Sequence, residues 1–492
     1  MRAAWRVADV RAAESALMAT LPDGTLMQRA AAGLARRCAL LLADRGGLYG
    51  SRVLVLAGSG DNGGDALYAG ARLADRGAAV EALLLVPDRA HAGGLAALRA
   101  AGGRTVERLP ARTDLVLDGI VGIGGSGGLR EPAARLVAEL AERRGPRPVV
   151  VAVDVPSGVA VDTGDVPAPP ADNLPAAVTA DVTVAFGVLK PALVVGSAAA
   201  RAGRVELVDI GLDPHLRTEP AVRVPDWTDI EGWWPALTAA SEKYTRGVVG
   251  IATGSATYPG AAVLSVAGAL AGPTGLVRYA GGARAEVLHH HPSVIATDRV
   301  ADAGRVQAWV CGSGLGTGDE ARTELRCVLA APVPVVLDAD GLSLLVDGSS
   351  AEQLRHRRAP TVVTPHDREF ARLAGEQPGA DRVGAALRLA SWMNAVVLLK
   401  GDRTVVATPD GRAYANPTGS PALATGGTGD VLAGLLGSLL AGGLAPERAA
   451  LAAAYLHGLA GREAARHGPV TAPDVAGALR SVVPGGAARQ GQ

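Results

Sequence analysis

Two stretches combine glycine with carboxylates in a way that chemistry can use: GSGDNGGD at Gly58–Asp65 and ATGGTGD at Ala424–Asp430. Each adjoins a helix-like run. Backbone N–H groups at a helix start attract anions, and glycine lets a ligand approach the chain closely. In the first stretch Gly58, Gly60 and Gly63 satisfy GxGxxG after the apolar run VLVLA, the arrangement that seats a pyrophosphate in dinucleotide-binding folds. Asp88 in LLLVPD is the nearest fit to the acidic residue that this arrangement wants ~20 positions further on. Asp61 and Asp65 oppose that reading, because carboxylates inside the loop repel a pyrophosphate unless a cation intervenes. The loop suits a cation and hydroxyl groups as much as phosphate. DGIVGIGGSGGLR and AVDVPSG each end an apolar run in a polar cluster, and in a doubly wound sheet Asn62, Asp118, Asp154 and Ser157 would converge at strand carboxyl ends. A carboxylate, an amide and a hydroxyl make a hard-oxygen site for an alkali or alkaline-earth ion. Each aspartate alone reads as a turn or helix cap; their convergence is what favours a site.

In NPTGSPALATGGTGDVLAGLLGSLL, Gly426, Gly427, Thr428 and Gly429 open a helix suited to phosphate, and Asp430 sits beside it. A carboxylate there is repelled by the anion, which makes sense if it takes a proton from an attacking hydroxyl. The alternative is an Asp-capped helix with glycines for close packing. No GK[ST] follows, so this is not a Walker loop. Lys400, Gly401, Asp402, Arg403 and Thr404 stand at another strand end, where lysine and arginine can meet phosphates. Asp338 and Asp340 in LDADGL, His366 in TVVTPHDREF, and Gly312, Gly314 and Gly316 in CGSGLGTGDE complete this second set.

The elements that must position these residues alternate short apolar runs with helix-length segments, the pattern of parallel βαβ units. Strands are expected at RVLVLAG, VEALLLV, DLVLDGIVG, PVVVAVDVPSG, DVTVAFG and RVELVDIG in the first half. In the second half they are expected at GVVGIATG, GLVRYAG, AWVCGSGLG, PVVLDADGL, TVVTPHD, AVVLLKG and RTVVATP. The reading is α/β, with domains at 1–215 and 241–484, a Pro- and Trp-rich linker at 216–240 and a frayed tail at 485–492. Trp227, Trp233 and Trp234 are expected to glue the two domains together, and His289, His290 and His291 to lie at a strand end before Pro292. His457, on a helix with apolar residues at helical spacing, is expected to be structural.

Lysine plus arginine balances aspartate plus glutamate at 48 each, which leaves no global field for nucleic acid or an anionic membrane and favours a small-molecule partner. Cys38, Cys311 and Cys327 have no CxxC spacing, so neither a disulfide framework nor a zinc site is supported. No stretch reaches the ~18 uncharged apolar residues of a membrane helix, and the start lacks the apolar core of a signal peptide. A cytoplasmic homo-oligomer is expected.

The motifs GSGDNGGDALYAG, DGIVGIGGSGG, VDVPSG and FGVLKPALVVG resemble the NAD(P)H-hydrate epimerase family over roughly residues 5–212. That resemblance implies a Rossmann-like fold, a bound potassium ion held by Asn62, Asp118 and Ser157, and a hydrated nicotinamide nucleotide cradled by Asp61, Asn62, Gly63, Gly64, Asp65, Asp154 and the segment Gly122, Ile123, Gly124, Gly125, Ser126, Gly127 and Gly128. Asp154 is the expected acid/base group, and Asp61 stands where asparagine is more usual. The motifs KYTRGVVGIATGSATYPGA, GSGLG, DADGL, TPH, KGDRT and NPTGSPALATGGTGD, over about 241–484, resemble the ADP-dependent NAD(P)H-hydrate dehydratases. This second resemblance implies a ribokinase-like fold, contacts from Ala261, Gly314, His366 and Asp430 to the hydrated nucleotide, and contacts from Lys400 to Thr404 and Gly429 to ADP, with magnesium offsetting phosphoryl charge. The substrates implied are NADHX and NADPHX. TPHDREF departs from the usual TPHPGE, and Ser420 replaces a common asparagine. Fold alone leaves open a fused redox domain and sugar or vitamin kinase, or a catalytically silent nucleotide-binding protein.

Overall fold

The computed structural model describes residues 1–485 except Ser126, Arg144, Asp172 and Asp347, so the tail beyond Gly485 lies outside the described residues. The chain divides into two compact units, one of Ala3–Val222 and one of Met1–Arg2 with Arg223 onward. Both are α/β. Among the described residues no helix is long and apolar enough to cross a membrane.

The first unit is built on a seven-stranded parallel sheet in the order 104–106, 79–84, 52–57, 115–119, 149–153, 182–186, 204–208. Its central strands are apolar at nearly every position because both faces are covered, as parallel sheets require. On one face Val53, Val55, Leu115, Leu117, Val151 and Val184 pack with helices Thr25–Ala43 and Asp61–Ala74. On the other, Leu54, Leu56 and Val116 meet Leu136 and Leu140 of helix Ala133–Glu142. Strand order reverses between 52–57 and 115–119, and in open sheets of this kind the ligand crevice forms at that point, outside the carboxyl ends.

The second unit contains most of an eleven-stranded sheet ordered 2–4, 222–224, 413–415, 405–407, 396–399, 361–363, 335–337, 308–311, 248–252, 276–280, 295–297. Strand 405–407 runs antiparallel to both neighbours, and its order reverses between 248–252 and 308–311. All the expected strands form, while the three-residue strands at 2–4, 104–106, 222–224, 295–297 and 413–415 lie outside those expectations. Runs that short carry too few residues for a period to be read.

The segment expected as a linker is in part built into the second unit. Strand Val222–Val224 pairs with Ala413–Ala415, and helix Trp227–Trp233 begins with a capping box between Asp226 and Asp229. Trp227, Trp233 and Trp234 pack on that unit's own core. His289 and His290 end helix Arg284–His290, where a strand end was expected. There His290 meets Glu286 at 3.0 Å, the four-residue spacing of a helix face.

The second unit's core is crossed by helix Thr428–Ala441, buried along nearly its whole length and packed on helix Pro259–Ala271. A Cβ on Gly434 would lie 1.9 Å from the Ser265 carbonyl oxygen, so the two backbones touch where a side chain would stand. Gly434→Ala should therefore destabilise the second unit by about 1–3 kcal/mol, whereas Gly477→Ala, with open space at its Cβ and helical backbone, should be neutral or slightly stabilising. Thermal melts of the two variants against the parent check the contrast.

Candidate active sites

The first site grows from the strand-order reversal at 52–57 and 115–119. Only Gly58–Gly60 form a loop there; Asp61–Asp65, expected as loop, are already the first turn of helix Asp61–Ala74. The glycines are required by close approach. A Cβ on Gly58 would lie 1.8 Å from the Ile120 carbonyl oxygen, and one on Gly63 would lie 2.4 Å from that of Gly58. Gly64 in turn backs against His91. The helix has no side-chain cap, so its first N–H groups are available to a ligand.

A cleft of about 800 Å³ opens at this point and is bordered by Asp61, Asn62, Asp65, Gly122, Ile123, Gly124 and Asp154. Gly125, Gly127 and Gly128 do not line it, and Ser126 lies outside the described residues. Arg11 and Glu14, which the sequence reading did not single out, enter from helix Val7–Met18. Burial, followed by the charges of Asp154, Asp61 and Glu14, pushes the Asp65 carboxyl well above the usual carboxylate range. Burial raises Glu14 as well, against the pull of Lys190. The cleft thus offers carboxyls that hold a proton more readily than free ones do.

At its floor Asp154 follows strand Val149–Val153 with φ 68°, a left-handed backbone uncommon for a residue with a side chain. Lys190, only 1% exposed, donates to Asp154 Oδ1 at 2.5 Å and to the Phe186 carbonyl at 2.9 Å, while the Phe186 N–H donates to the same Oδ1 at 3.0 Å. Lys190 lies within the FGVLKPALVVG motif, yet nothing local marks it out. Its partner is 36 residues away in sequence, and only the sheet joins them.

Asp118 and Ser157 do not line this cleft, and Asp118 borders a separate cavity of the same unit. Ser157 donates its hydroxyl to Asp118 Oδ1 at 2.6 Å and its N–H to Oδ2 at 2.9 Å, and the Val121 carbonyl lies 3.0 Å from the same hydroxyl. Asn62 comes close on the other side: a Cβ on Gly122 would sit 2.7 Å from its Oδ1, and its Nδ2 is buried without a partner. Burial pushes the Asp118 carboxyl up to about 6 despite the Ser157 hydrogen bonds. A buried carboxylate with neutral oxygens around it and no basic side chain bonded to it fits a monovalent cation. Asn62, Asp118 and Ser157 are the residues that would hold it.

The second site forms at the reversal between 248–252 and 308–311. The Gly254 N–H donates to the Ser313 carbonyl at 2.6 Å, and a Cβ on Gly314, at φ 64°, would lie 2.9 Å from Ala261. Tyr258, exposed beside Gly314, was missed because a lone tyrosine before Pro259 carries no pattern. Helix Thr428–Ala441 starts at Gly427 (φ 89°) with no side-chain cap, so its N–H groups are open to an anion. Asp430 is in that first turn. Burial, then repulsion from Asp338, raises its carboxyl to about 7, with Ser313 drawing it down and Lys400 likewise.

Lys400 Nζ lies 2.7 Å from Asp338 and 3.5 Å from Glu369. Burial disfavours its charge, but the two carboxylates outweigh burial and raise its pKa. Gly429 faces this cluster, its Cβ direction ending 3.5 Å from Asp338 and 3.6 Å from Lys400. The other members of the Lys400–Thr404 run serve the turn itself. Thr404 Oγ1 donates to the Gly401 carbonyl at 2.9 Å, Arg403 donates to the Pro417 carbonyl at 2.7 Å, and the Asp402 carbonyl backs against Gly419. Asp340 accepts the Gly316 N–H at 2.8 Å.

His366 caps helix Asp367–Ala374, its Nδ1 accepting from Arg368 and Glu369 while Glu369 accepts the His366 N–H at 2.8 Å. Buried Glu369 thereby links His366 to Lys400. The sequence reading missed it, although a cap followed three residues later by glutamate is the capping-box spacing. Asp367, in the departure from TPHPGE, pairs with Arg382, which donates to the Lys400 carbonyl at 2.9 Å. His457 is buried on helix Pro446–Ala464, and burial lowers it to about 4 and keeps it neutral.

Two α/β units, each with buried carboxylates and an uncapped helix start at a sheet reversal, define a two-site enzyme class that works on anionic small molecules. A family model described as NAD(P)H-hydrate dehydratase matches residues 249–479, and one described as YjeF-related protein N-terminus matches residues 23–192. The bifunctional NAD(P)H-hydrate repair enzyme Nnr of Mycobacterium tuberculosis (strain CDC 1551 / Oshkosh) is 51% identical over 451 residues, 92% of this chain and 91% of that one. The protein of the same description from Mycobacterium leprae is 49% identical over 98% of both chains. A Bacillus subtilis structure described as ADP/ATP-dependent NAD(P)H-hydrate dehydratase, co-crystallized with ATP/Mg2+, matches 53% of this chain and 97% of that one at 29% identity and TM-score 0.47. The chain belongs to the bifunctional NAD(P)H-hydrate repair enzymes, with an epimerase and a dehydratase domain. The fused redox domain with a sugar or vitamin kinase and the catalytically silent binding protein are set aside by this membership.

Removing one partner of the Asp154–Lys190 pair leaves a buried charge uncompensated. Lys190→Met should cost the first unit about 3–5 kcal/mol, and adding Asp154→Asn should recover most of it. Denaturant unfolding of the single and double variants measures both effects.

Proposed function

We propose that the first unit interconverts the R and S hydrates of NADH and NADPH and that the second dehydrates the S form with ADP, releasing AMP and phosphate. The observation that carries this reading is Asp430, an ionisable carboxyl poised at about 7 in the first turn of an uncapped helix, with Lys400 beside it. That arrangement can place a hydroxyl next to a base and a phosphoryl group against N–H donors.

In the dehydratase site Asp430 takes the proton of the substrate's ring hydroxyl as its oxygen bonds to the terminal phosphorus of ADP. The anhydride bond breaks and AMP leaves. The phosphate ester formed is a far better leaving group than hydroxide, so its departure with loss of a neighbouring ring proton restores the dihydronicotinamide. Ala261, Gly314 and His366 contact the hydrated nucleotide, while Lys400 to Thr404 and Gly429 receive ADP. Lys400 carries most of the charge contact, because Arg403 is anchored on Pro417. When bound, magnesium would neutralise phosphoryl charge, and Asp338 and Glu369 are the carboxylates nearest the lysine that meets the phosphates.

In the epimerase site Asp61, Asn62, Asp65, Gly122, Ile123 and Gly124 contact the substrate, with Gly63, Gly64, Gly125, Gly127 and Gly128 shaping the segments that carry them. Asp154 handles the proton of the hydrate, and Lys190 holds that carboxylate in place. Potassium on Asn62, Asp118 and Ser157 would balance the buried Asp118 charge and fix the loops that these residues join. The expected cytoplasmic homo-oligomer belongs to the same proposal, and sedimentation of the full chain tests its assembly.

Supplying both epimers of hydrated NADH with ADP and magnesium should return the full reduced-nicotinamide absorbance. Asp430→Asn should slow that recovery by about 10² or more while epimers still interconvert. Unchanged turnover in this variant refutes the base role. Asp154→Ala should consume one epimer quickly and leave the other at its spontaneous rate. The base must be ionised, so dehydration kcat/KM should fall as pH drops through about 7. Ser313→Ala, which removes one of the two influences that lower this carboxyl, should move that limb upward.

A further inference from the structure

The first unit has a second cavity, of about 650 Å³, which shares no lining with the epimerase cleft. It lies toward the amino ends of the strands, where Asp114, Pro148 and Thr179 stand just before or at the approach to strands 115–119, 149–153 and 182–186. The residues of the epimerase cleft lie at the carboxyl ends, and of those assigned to the epimerase site Asp118 also reaches this cavity.

The floor is apolar, with Leu56, Val116 and Val150 from the sheet and Leu140 from helix Ala133–Glu142. This is the sparsely covered face, since the larger apolar cluster lies on the opposite side of the sheet. A space this size inside a close-packed domain forfeits contacts that an occupant would restore, and its volume is that of a small-molecule site. Thr113 borders it, 8% exposed, with its hydroxyl lacking a hydrogen-bond partner.

The rim is positive. Arg112, Arg143, Arg147 and Arg201 stand around the cavity against Asp114, Asp118 and Glu142. Each guanidinium carries five N–H donors, and the contacts made here use few of them. Arg112 is 3.8 Å from Asp114, Arg147 is 3.2 Å from Asp181, and Arg201 donates to Thr179 Oγ1 at 2.6 Å. Arg143 donates to the Pro110 carbonyl and pairs with Glu139 at 3.4 Å.

We propose that this cavity is a second ligand site, taking a small organic anion that sets an apolar body on Leu56, Val116, Leu140 and Val150 and its carboxylate or phosphate among the rim arginines. The cavity adjoins Asp118 of the proposed cation site, while its lining and that of the nucleotide cleft share no residue.

The test uses the full chain with the anionic dye 1-anilinonaphthalene-8-sulfonate, and the uncharged N-phenyl-1-naphthylamine as the control for charge. One saturable dye site per chain is expected, which neither NADP+ nor ADP displaces. The double variant Arg112→Gln/Arg147→Gln, whose side chains are 71% and 67% exposed, should fold normally. It should weaken the anionic dye at least about tenfold and leave the neutral one nearly unaffected. Ala138→Trp should block both dyes by filling the cavity, with both repair activities unchanged in every variant. Displacement by either nucleotide, an unchanged dye affinity in the double glutamine variant, or a parental dimer that Ala138→Trp converts to monomer would overturn the proposal. The last result would identify a second copy of the chain as the occupant.

Discussion

A carboxylate taken out of water must find a cation, a set of hydrogen-bond donors, or a proton, because the cost of leaving it charged and alone is several kcal/mol. Both units are organised around that constraint. Asp154 meets it with Lys190 and the Phe186 N–H, Asp118 with Ser157 and an oxygen cluster suited to an ion, and Asp338 with Lys400. Asp65 and Asp430 lack such compensation and Asp118 has it only in part, and burial raises all three. Asp430, raised to about 7, is the one placed to exchange a proton near neutral pH.

The same logic explains why both sites use helix starts that have no side-chain cap. A capping side chain would satisfy the first N–H groups and remove the partial positive charge that a ligand could use. The helices at Asp61 and Thr428 leave those groups open, whereas the helix at Asp367 is closed by His366 and Glu369, outside the phosphate position.

Much of this was legible beforehand. The apolar runs from RVLVLAG to RTVVATP all became strands, since a strand buried on both faces must be apolar at nearly every position. Asp430, Lys400, Asp154 and Asn62 could be singled out because they adjoin glycine clusters or strand ends. Lys190, Glu14, Glu369 and Tyr258 could not, because each gains its role from a partner far along the chain or from the shape of a cleft. The tryptophan-rich stretch read as a linker for want of periodicity, but a three-residue strand and a seven-residue helix are too short to show one.

The residues by themselves determined the α/β class, the places where anions and cations could be held, and the kinship that those motifs carry, because local patterns of glycine, carboxylate and apolar period survive without a partner. The tertiary structure alone decided which glycines are needed for close backbone contact, such as Gly58 against Ile120, and which carboxylates are buried deeply enough to be raised. It also decided that a second cavity stands at the amino side of the first sheet. Burial and distance are properties of elements brought together across the chain, and sequence order does not contain them.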